Sequence, residues 1–202
     1  MRVMTVSNIM SKPLYDCTIQ ELEALLIFWI FVARNSAKNA RPRWRKFMTE
    51  VQKCGYYYPF TNIKSMGYDK VEECMSTLGL GLWKMKAKSV WSAANSTINI
   101  KTATPDELET IHGVGRKTSR CFILYSRPNA QVAGLDTHVL KWMRAIGFKD
   151  IPTATPTKKR YLELEKQFLL LAKDFGVTPA ELDHKVWMFY AKETDKIQLE
   201  RR

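Results

Sequence analysis

Two residues of chemically useful type, Lys117 and Asp136, stand nineteen positions apart in the chain. Lys117 follows a turn bracketed by Gly113 and Gly115, and Asp136 opens the apolar helical segment DTHVLKWM. A lysine amine can attack an electrophilic carbon and remain attached as a Schiff base, and a fixed carboxylate stabilises positive charge that develops in a transition state. Simpler interpretations exist, because a lysine after a turn can contact phosphate and an aspartate at a helix start can act as its N-cap.

The turn before Lys117 has the composition of an anion-binding hairpin. Glycine permits positive φ and leaves no side chain above the backbone, so the amides that open the next helix can face a phosphate. The apolar residues Leu108, Ile111 and Val114 are spaced to lock the two flanking helices together. The pattern predicts a helix-hairpin-helix, a sequence-tolerant contact with the DNA backbone, at about residues 106–126. The alternative is a plain turn between two helices.

The overall charge favours a polyanionic partner. The 202 residues include 32 Lys and Arg against 20 Asp and Glu, which gives a net charge of +12 and a pI near 9.6. Nucleic acid is the first candidate for such a protein. The run from Arg34 to Lys46, RNSAKNARPRWRK, contains no acidic residue. It predicts a further phosphate contact, or simply a solvated helix face.

Cysteine spacing and hydropathy exclude other classes. The four cysteines, Cys17, Cys54, Cys74 and Cys121, are too far apart for the short Cys-x-x-Cys spacings of zinc or iron–sulfur sites. We therefore expect no metal, no cofactor and a reduced, intracellular protein. The segment MRVMTVSNIM has no long apolar run, and the apolar residues 22–33 are too few to cross a bilayer.

Helical periodicity dominates the rest of the chain, and an all-α protein of eight to ten helices is predicted. Three segments begin with a threonine followed three positions later by a glutamate, the form of a capping box. These pairs are Thr18 with Glu21, Thr104 with Glu107, and Thr178 with Glu181. They mark helix starts at well-separated points of the chain.

LETIHGVGRKTSRCFILY followed by VAGLDTHVLKWM resembles the helix-hairpin-helix (HhH-GPD) DNA glycosylase superfamily, in particular its endonuclease III-like branch. In that branch a lysine and an aspartate occupy the places of Lys117 and Asp136. The resemblance runs from about Thr18 to Met143 and implies a two-lobed helical fold with the active site in the cleft between the lobes. Residues 18–130 would form a barrel lobe that includes the hairpin. Residues 1–17 and 131–202 would form a second lobe that carries the aspartate.

The resemblance implies a bifunctional DNA glycosylase and abasic-site lyase of base excision repair. Cleavage of an N-glycosidic bond develops positive charge on the sugar, which Asp136 would stabilise. Lys117 would attack C1′, displace the base and leave a Schiff base, from which β-elimination cuts the strand. The endonuclease III-like branch points to a damaged or modified pyrimidine that is flipped out of duplex DNA. Two alternatives stay open: an enzyme that modifies the extruded base, and a DNA-binding protein without chemistry.

The resemblance also assigns DNA contacts. Leu82, in LGLGLWKMKAKSV, aligns with a wedge residue of the family, and Arg34 aligns with a polar residue that fills the gap left by the flipped base. Core packing is the competing explanation for Leu82. The full set of predicted contacts is Gly113, Val114, Gly115, Arg116, Thr118, Arg34, Leu82, Lys86 and His138.

The chain departs from its cluster-bearing relatives in one respect. No cysteine follows Cys121, whereas endonuclease III-like enzymes commonly carry a four-cysteine iron–sulfur cluster near the C-terminus. We expect two amphipathic helices to close that lobe by apolar packing alone. The expected partner is double-stranded DNA, bound by a monomer that is associated with DNA inside the cell.

Overall fold

The computed structural model describes residues 17–199, with side chains up to residue 190, and within that range it is helical with no strand. The ten helices are α1 (Ile19–Val32), α2 (Ala37–Gln52), α3 (Pro59–Met66), α4 (Tyr68–Ser76), α5 (Trp83–Ala94), α6 (Pro105–Leu108), α7 (Arg116–Leu124), α8 (Thr137–Ala145), α9 (Lys158–Asp174) and α10 (Pro179–Leu199). The predicted all-α class is confirmed. Two compact units are present, one ending at Ser126 and the other beginning at Arg127.

Helix α1 is the centre of the first unit. Every residue from Leu22 to Val32 is buried, because the helix is apolar on all sides and is surrounded by α2, α3, α5 and α7. The indole Nε1 of Trp44, on α2, donates to the carbonyl of Ala24 at 3.1 Å and so ties the two helices together. The capping box of Thr18 sets the start of this helix.

The hairpin belongs to the same unit. Its first helix, α6, is a single turn with a capping box at Thr104, and α7 follows after the glycine turn. Leu108, Ile111 and Val114 are buried, as their spacing predicts. Behind them the guanidinium of Arg120 pairs with the carboxylate of Glu109, and this buried ion pair joins the two sides of the hairpin.

Helices α8, α9 and α10 form the second unit around an apolar core. Its members include Leu140, Met143, Tyr161, Phe168 and Tyr190. The third predicted capping box is also present, since the Thr178 amide donates to the Glu181 carboxylate at 2.8 Å and the Glu181 amide donates back to the Thr178 hydroxyl at 3.2 Å. All three capping boxes are thus confirmed.

Two expectations concern the ends of the chain. The predicted place of residues 1–17 in the second lobe, and the absence of an apolar leader, fall almost wholly on residues 1–16, which lie outside the described range. Between residues 17 and 199, none of the helices has the length and apolar character needed to cross a membrane.

Candidate functional site

The hairpin turn is built on Gly113, which has a φ of +77°. A Cβ at this position would lie 1.9 Å from the Oγ of Ser89, on α5. The neighbouring amide of His112 donates to the hydroxyl of Ser92, also on α5, at 3.2 Å. Both the backbone conformation and the close approach to α5 therefore require glycine here.

Gly115 has a different role in the turn. It is the N-cap of α7 with φ −97° and ψ 178°, an extended conformation that any residue can adopt. A Cβ on Gly115 would meet no atom within 4 Å, and the residue supplies no side-chain acceptor to the amides of the first turn. The space in front of these amides is consequently open, which is what an approaching phosphate oxygen needs.

Two of the predicted DNA contacts in the hairpin have buried side chains. Val114 is 3% exposed and Thr118 is 5% exposed, because both side chains face the core of the first unit. These side chains are therefore not available to DNA, and the predicted contact through the hairpin backbone stays a prediction. Arg116 is half-buried in the first turn of α7.

Lys117 is the second residue of α7 and is half-buried. Its Nζ lies 5.4 Å from the centroid of the Trp29 ring, within the range of a cation–π contact. The ring of Tyr125 also stacks on Trp29, with centroids 5.5 Å apart. Sequence reasoning did not single out these two aromatics from the many others, because only the packing of α1 against α7 brings them to the lysine.

Asp136 is the N-cap of α8, as its place before an apolar helix indicates. Its Oδ1 accepts hydrogen bonds from the amides of His138 and Val139, both at 2.9 Å. Within residues 17–190, Oδ2 accepts none. The helix cap therefore uses one carboxylate oxygen and leaves the other for a different task.

The loop before Asp136 is anchored by two residues that sequence reasoning missed. The hydroxyl of Tyr161 donates to the carbonyl of Ala133 at 2.8 Å and accepts from the amide of Leu135 at 3.0 Å. The carboxylate of Glu165 accepts from the amide of Ala133 at 2.9 Å. The available signal was an acidic residue on the buried face of α9, since a buried carboxylate needs a partner.

His138 lies against α10 instead of projecting freely. Its ring stacks on that of Tyr190 with centroids 5.8 Å apart, and the Nζ of Lys141 lies 4.3 Å from the Tyr190 centroid. The backbone amide of His138 is one of the two that bind Asp136. These contacts support a structural role for the ring.

Arg34 and Leu82 are both exposed and both have positive φ, at 54° and 58°. Non-glycine residues seldom adopt this conformation, and it recurs at functional sites. Leu82 is 48% exposed, so core packing does not explain it. Arg34 ends the turn after α1, and Leu82 is the N-cap of α5.

Lys86, the third residue predicted to contact DNA in this region, is 1% exposed. Its Nζ donates to the carbonyls of Phe31 and Ala33 at 2.5 and 2.9 Å. Burial, and secondly the charge of Lys117, lowers its pKa to about 8. The prediction of a DNA contact is corrected: the amine binds the C-terminal end of α1.

Among the described residues, no group of three or more His, Cys, Asp and Glu side chains is placed to hold a metal ion. None of Cys17, Cys54, Cys74 and Cys121 forms a disulfide within the described part of the chain.

The basic run after Arg34 forms the first part of α2, and its side chains divide between two environments. Trp44 and Phe47 are buried, whereas Lys38, Arg45 and Lys46 are exposed. Lys38, Arg45 and Lys46 thus lie on the outer face of an amphipathic helix, where solvent or phosphate can reach them.

The glycine hairpin, the lysine in the first turn of α7 and the aspartate that caps α8 fit the helix-hairpin-helix DNA glycosylase class. Residues 20–177 match the family of 8-oxoguanine DNA glycosylases, and the chain belongs to that family of DNA glycosylase/lyases. Its Ogg-type members lack an iron–sulfur cluster, in agreement with the cysteine pattern.

Solved structures of such enzymes share the fold. The 8-oxoguanine DNA glycosylase of Thermotoga maritima superposes with a TM-score of 0.64 at 23% identity, covering 85% of this chain and 80% of that one. The Methanocaldococcus jannaschii 8-oxoguanine DNA glycosylase gives 0.65 at 19% identity, with 86% and 79% covered. Its glycosylase/lyase in complex with a 15mer DNA containing 8-oxoguanine gives 0.66 at 21% identity, with 88% and 84% covered.

The family match refines the predicted function. The predicted superfamily, and DNA as the partner, are supported. The endonuclease III-like specificity, and with it the preference for a pyrimidine, is not supported, because the matching family is named for an oxidised purine. The hairpin and the Asp136 motif are expected to contact the DNA backbone and the sugar, and neither of these identifies the base.

Proposed function

We propose that this protein excises 8-oxoguanine from duplex DNA and then cleaves the strand, with Lys117 as the nucleophile and Asp136 as the electrostatic partner. The observation that carries the proposal is the position of Lys117. It lies in the first turn of α7, directly after the open amides of the hairpin, with its amine against Trp29. A helix that holds the DNA backbone therefore also presents the amine.

The proposed chemistry begins with the neutral amine of Lys117. Its lone pair forms a bond to C1′ of the nucleotide, and the glycosidic bond to N9 breaks, so that the base leaves with the bonding electrons and takes up a proton. The nitrogen then loses one of its two protons, the bond from C1′ to the ring oxygen breaks as that oxygen takes up a proton, and the product is a protonated imine. Abstraction of a proton from C2′ then expels the 3′ phosphate by β-elimination and breaks the strand.

Asp136 would act on the same sugar. Two amides of α8 bind Oδ1 and fix the orientation of the Asp136 carboxylate. The helix cap does not use Oδ2, so this oxygen can face the sugar. As the glycosidic bond stretches, positive charge grows on the sugar, and a fixed carboxylate stabilises it without any reorganisation. Tyr161 and Glu165 support this role by holding the loop that leads to Asp136.

The test is a panel of duplexes of one sequence, each with a single altered base. The panel contains 8-oxoguanine, an oxidised thymine, an oxidised cytosine and uracil. Released bases are identified by mass spectrometry, and strand cleavage is measured on the same samples. We expect release of 8-oxoguanine with strand cleavage. Release of an oxidised pyrimidine in its place would contradict the proposed substrate, and a mass increase of the intact DNA would indicate base modification.

Lys117→Ala is the variant that separates chemistry from binding in this assay. Lys101→Ala is its matched control, since Lys101 is an exposed lysine of the same unit. We expect the control to release the base at the wild-type rate. Equal loss in both variants would assign the effect to general charge and not to the nucleophile.

A further inference from the structure

Arg34 and Leu82 share a strained backbone conformation at two separate points of the chain. Their φ values of 54° and 58° lie in the left-handed region, where a side chain crowds its own backbone. Both side chains are exposed, and within residues 17–190 the guanidinium of Arg34 makes no hydrogen bond. Such residues persist only where the surrounding structure holds them in place. The two turns therefore need an anchor.

Lys86 is hydrogen-bonded to both turns. Its backbone amide donates to the carbonyl of Leu82 at 3.0 Å. Its Nζ donates to the carbonyls of Phe31 and Ala33, and Ala33 directly precedes Arg34. The bond to Leu82 belongs to the helix backbone, and the side chain ties the end of α1 to α5, the helix that Leu82 caps.

A buried ammonium is a costly way to complete a helix end. Many helices end at a glycine or with water bound to their last carbonyls, and neither carries a charge that must be removed from solvent. Lys86 is almost wholly buried, and the burial shows in its lowered pKa. A lysine that ties α5 to the end of α1 accounts for this free-energy cost, because neither a glycine nor a water molecule connects two helices so firmly.

We infer that Lys86 is a positioning residue that holds Arg34 and Leu82 as one pair, so that both side chains enter the DNA stack when the damaged nucleotide is extruded. The inference rests on the proposed function, since only a flipped nucleotide leaves a gap to fill. A side chain that offsets the lost stacking must already be in place when the base leaves. Lys86 would fix that placement without touching DNA.

The test compares two substrates that differ only in the need for extrusion. In one, 8-oxoguanine is paired with cytosine within a duplex; in the other, it lies in a short unpaired bulge of the same sequence. Lys86→Met removes the two Nζ hydrogen bonds to α1, leaves the backbone bond to Leu82 in place and keeps most of the side-chain volume. We expect its single-turnover base release to fall about tenfold on the paired substrate. On the bulge, where no base pair must be opened, we expect a change of about twofold or less.

Two further variants separate positioning from general folding. Lys86→Gln retains an amide with two donors and should recover part of the activity on the paired substrate. Lys88→Met removes an exposed lysine from the same helix and should change neither rate. If Lys86→Met does not fold, the test uses Lys86→Gln instead. The ratio of its base-release rates on the paired and bulged substrates then decides the question.

A comparison with a protein that lacks both side chains of the pair tests whether Lys86 acts through them. In a protein with both Arg34→Ala and Leu82→Ala, adding the Lys86 substitution should cause no further loss on the paired substrate, because the effects are coupled. An equal loss on both substrates, or a full further loss in this background, would overturn the inference and leave the proposed function intact. A wild-type protein that releases 8-oxoguanine from neither substrate would refute the proposed function, and the inference with it.

Discussion

Gly113 approaches Ser89 so closely that a Cβ on the glycine would lie 1.9 Å from the serine Oγ. The hairpin turn is thereby fixed against α5 by a contact that no other residue permits. Gly115, two positions later, meets no atom of the protein in the same way. One glycine of the turn serves the fold, and the other leaves room for a ligand.

This difference predicts that two alanine substitutions affect different properties, one of them stability and the other DNA binding. Gly113→Ala introduces both the clash and a strained φ, and we expect it to lower the free energy of unfolding by about 2 kcal/mol or more. Gly115→Ala should change stability by less than about 0.5 kcal/mol but weaken duplex binding at every sequence, because the contact is to the backbone. Urea unfolding and fluorescence anisotropy measure the two quantities. Equal destabilisation by both substitutions would contradict the assignment.

Asp136→Asn separates the role of the carboxylate as a helix cap from its role as a negative charge. The amide oxygen of asparagine can still accept from the amides of His138 and Val139, so we expect the helix cap and the unfolding temperature to be retained. Base release should slow by about two orders of magnitude or more, because no negative charge faces the developing cation. Single-turnover kinetics measure this rate, and a wild-type rate would reduce Asp136 to a helix cap.

Tyr161→Phe tests the anchor of the loop before Asp136. Loss of the hydroxyl leaves the buried carbonyl of Ala133 and the amide of Leu135 without this partner, and we expect a cost of about 1–3 kcal/mol in unfolding free energy. Base release should slow while the Kd for duplex DNA stays unchanged, since the loop positions a catalytic group. Tyr57→Phe, on an exposed side chain, is the control. A change in Kd with unchanged kcat would contradict this role.

The lowered pKa of Lys86 predicts a pH dependence of stability. Its folded-state pKa of about 8 lies below the ordinary value of 10.5, chiefly because of burial, so between these values the folded chain binds fewer protons than the unfolded chain. Stability contributed by this group is therefore present above pH 10.5 and is lost as the pH falls through 8. Relative to Lys86→Met, the wild type should gain about 1–3 kcal/mol between pH 8 and pH 10. If the unfolding free energies of the two proteins, measured in urea, changed with pH in parallel, the lowered pKa of Lys86 would be contradicted.

Local signals in the sequence predicted local structure well. Each capping box consists of residues three positions apart, and all three formed where the sequence places them. The apolar residues of the hairpin likewise pack within one short segment. Such features depend on neighbours along the chain, so they need no knowledge of the tertiary fold.

Features that depend on distant parts of the chain were missed or misassigned. Lys86 was expected at the surface, and only the packing of α5 against α1 buries it. Tyr161 and Glu165 hold backbone groups roughly thirty residues away, which no periodicity reveals. The positive φ of Leu82 also escapes prediction, because leucine has no local preference for it. The base specificity depends on a pocket, and the shared motifs do not describe it.

The most direct test of the account is borohydride trapping on a duplex with one 8-oxoguanine. Reduction during turnover converts the Schiff base into a stable amine, so the wild-type protein should become covalently attached to the DNA. Lys117→Ala should lose both trapping and strand cleavage while it retains most of its affinity for the duplex, because one cation is a small part of the phosphate contact. Mass spectrometry of the trapped peptide should place the adduct on Lys117. Efficient trapping by Lys117→Ala, or an adduct on another residue, would contradict the central claim.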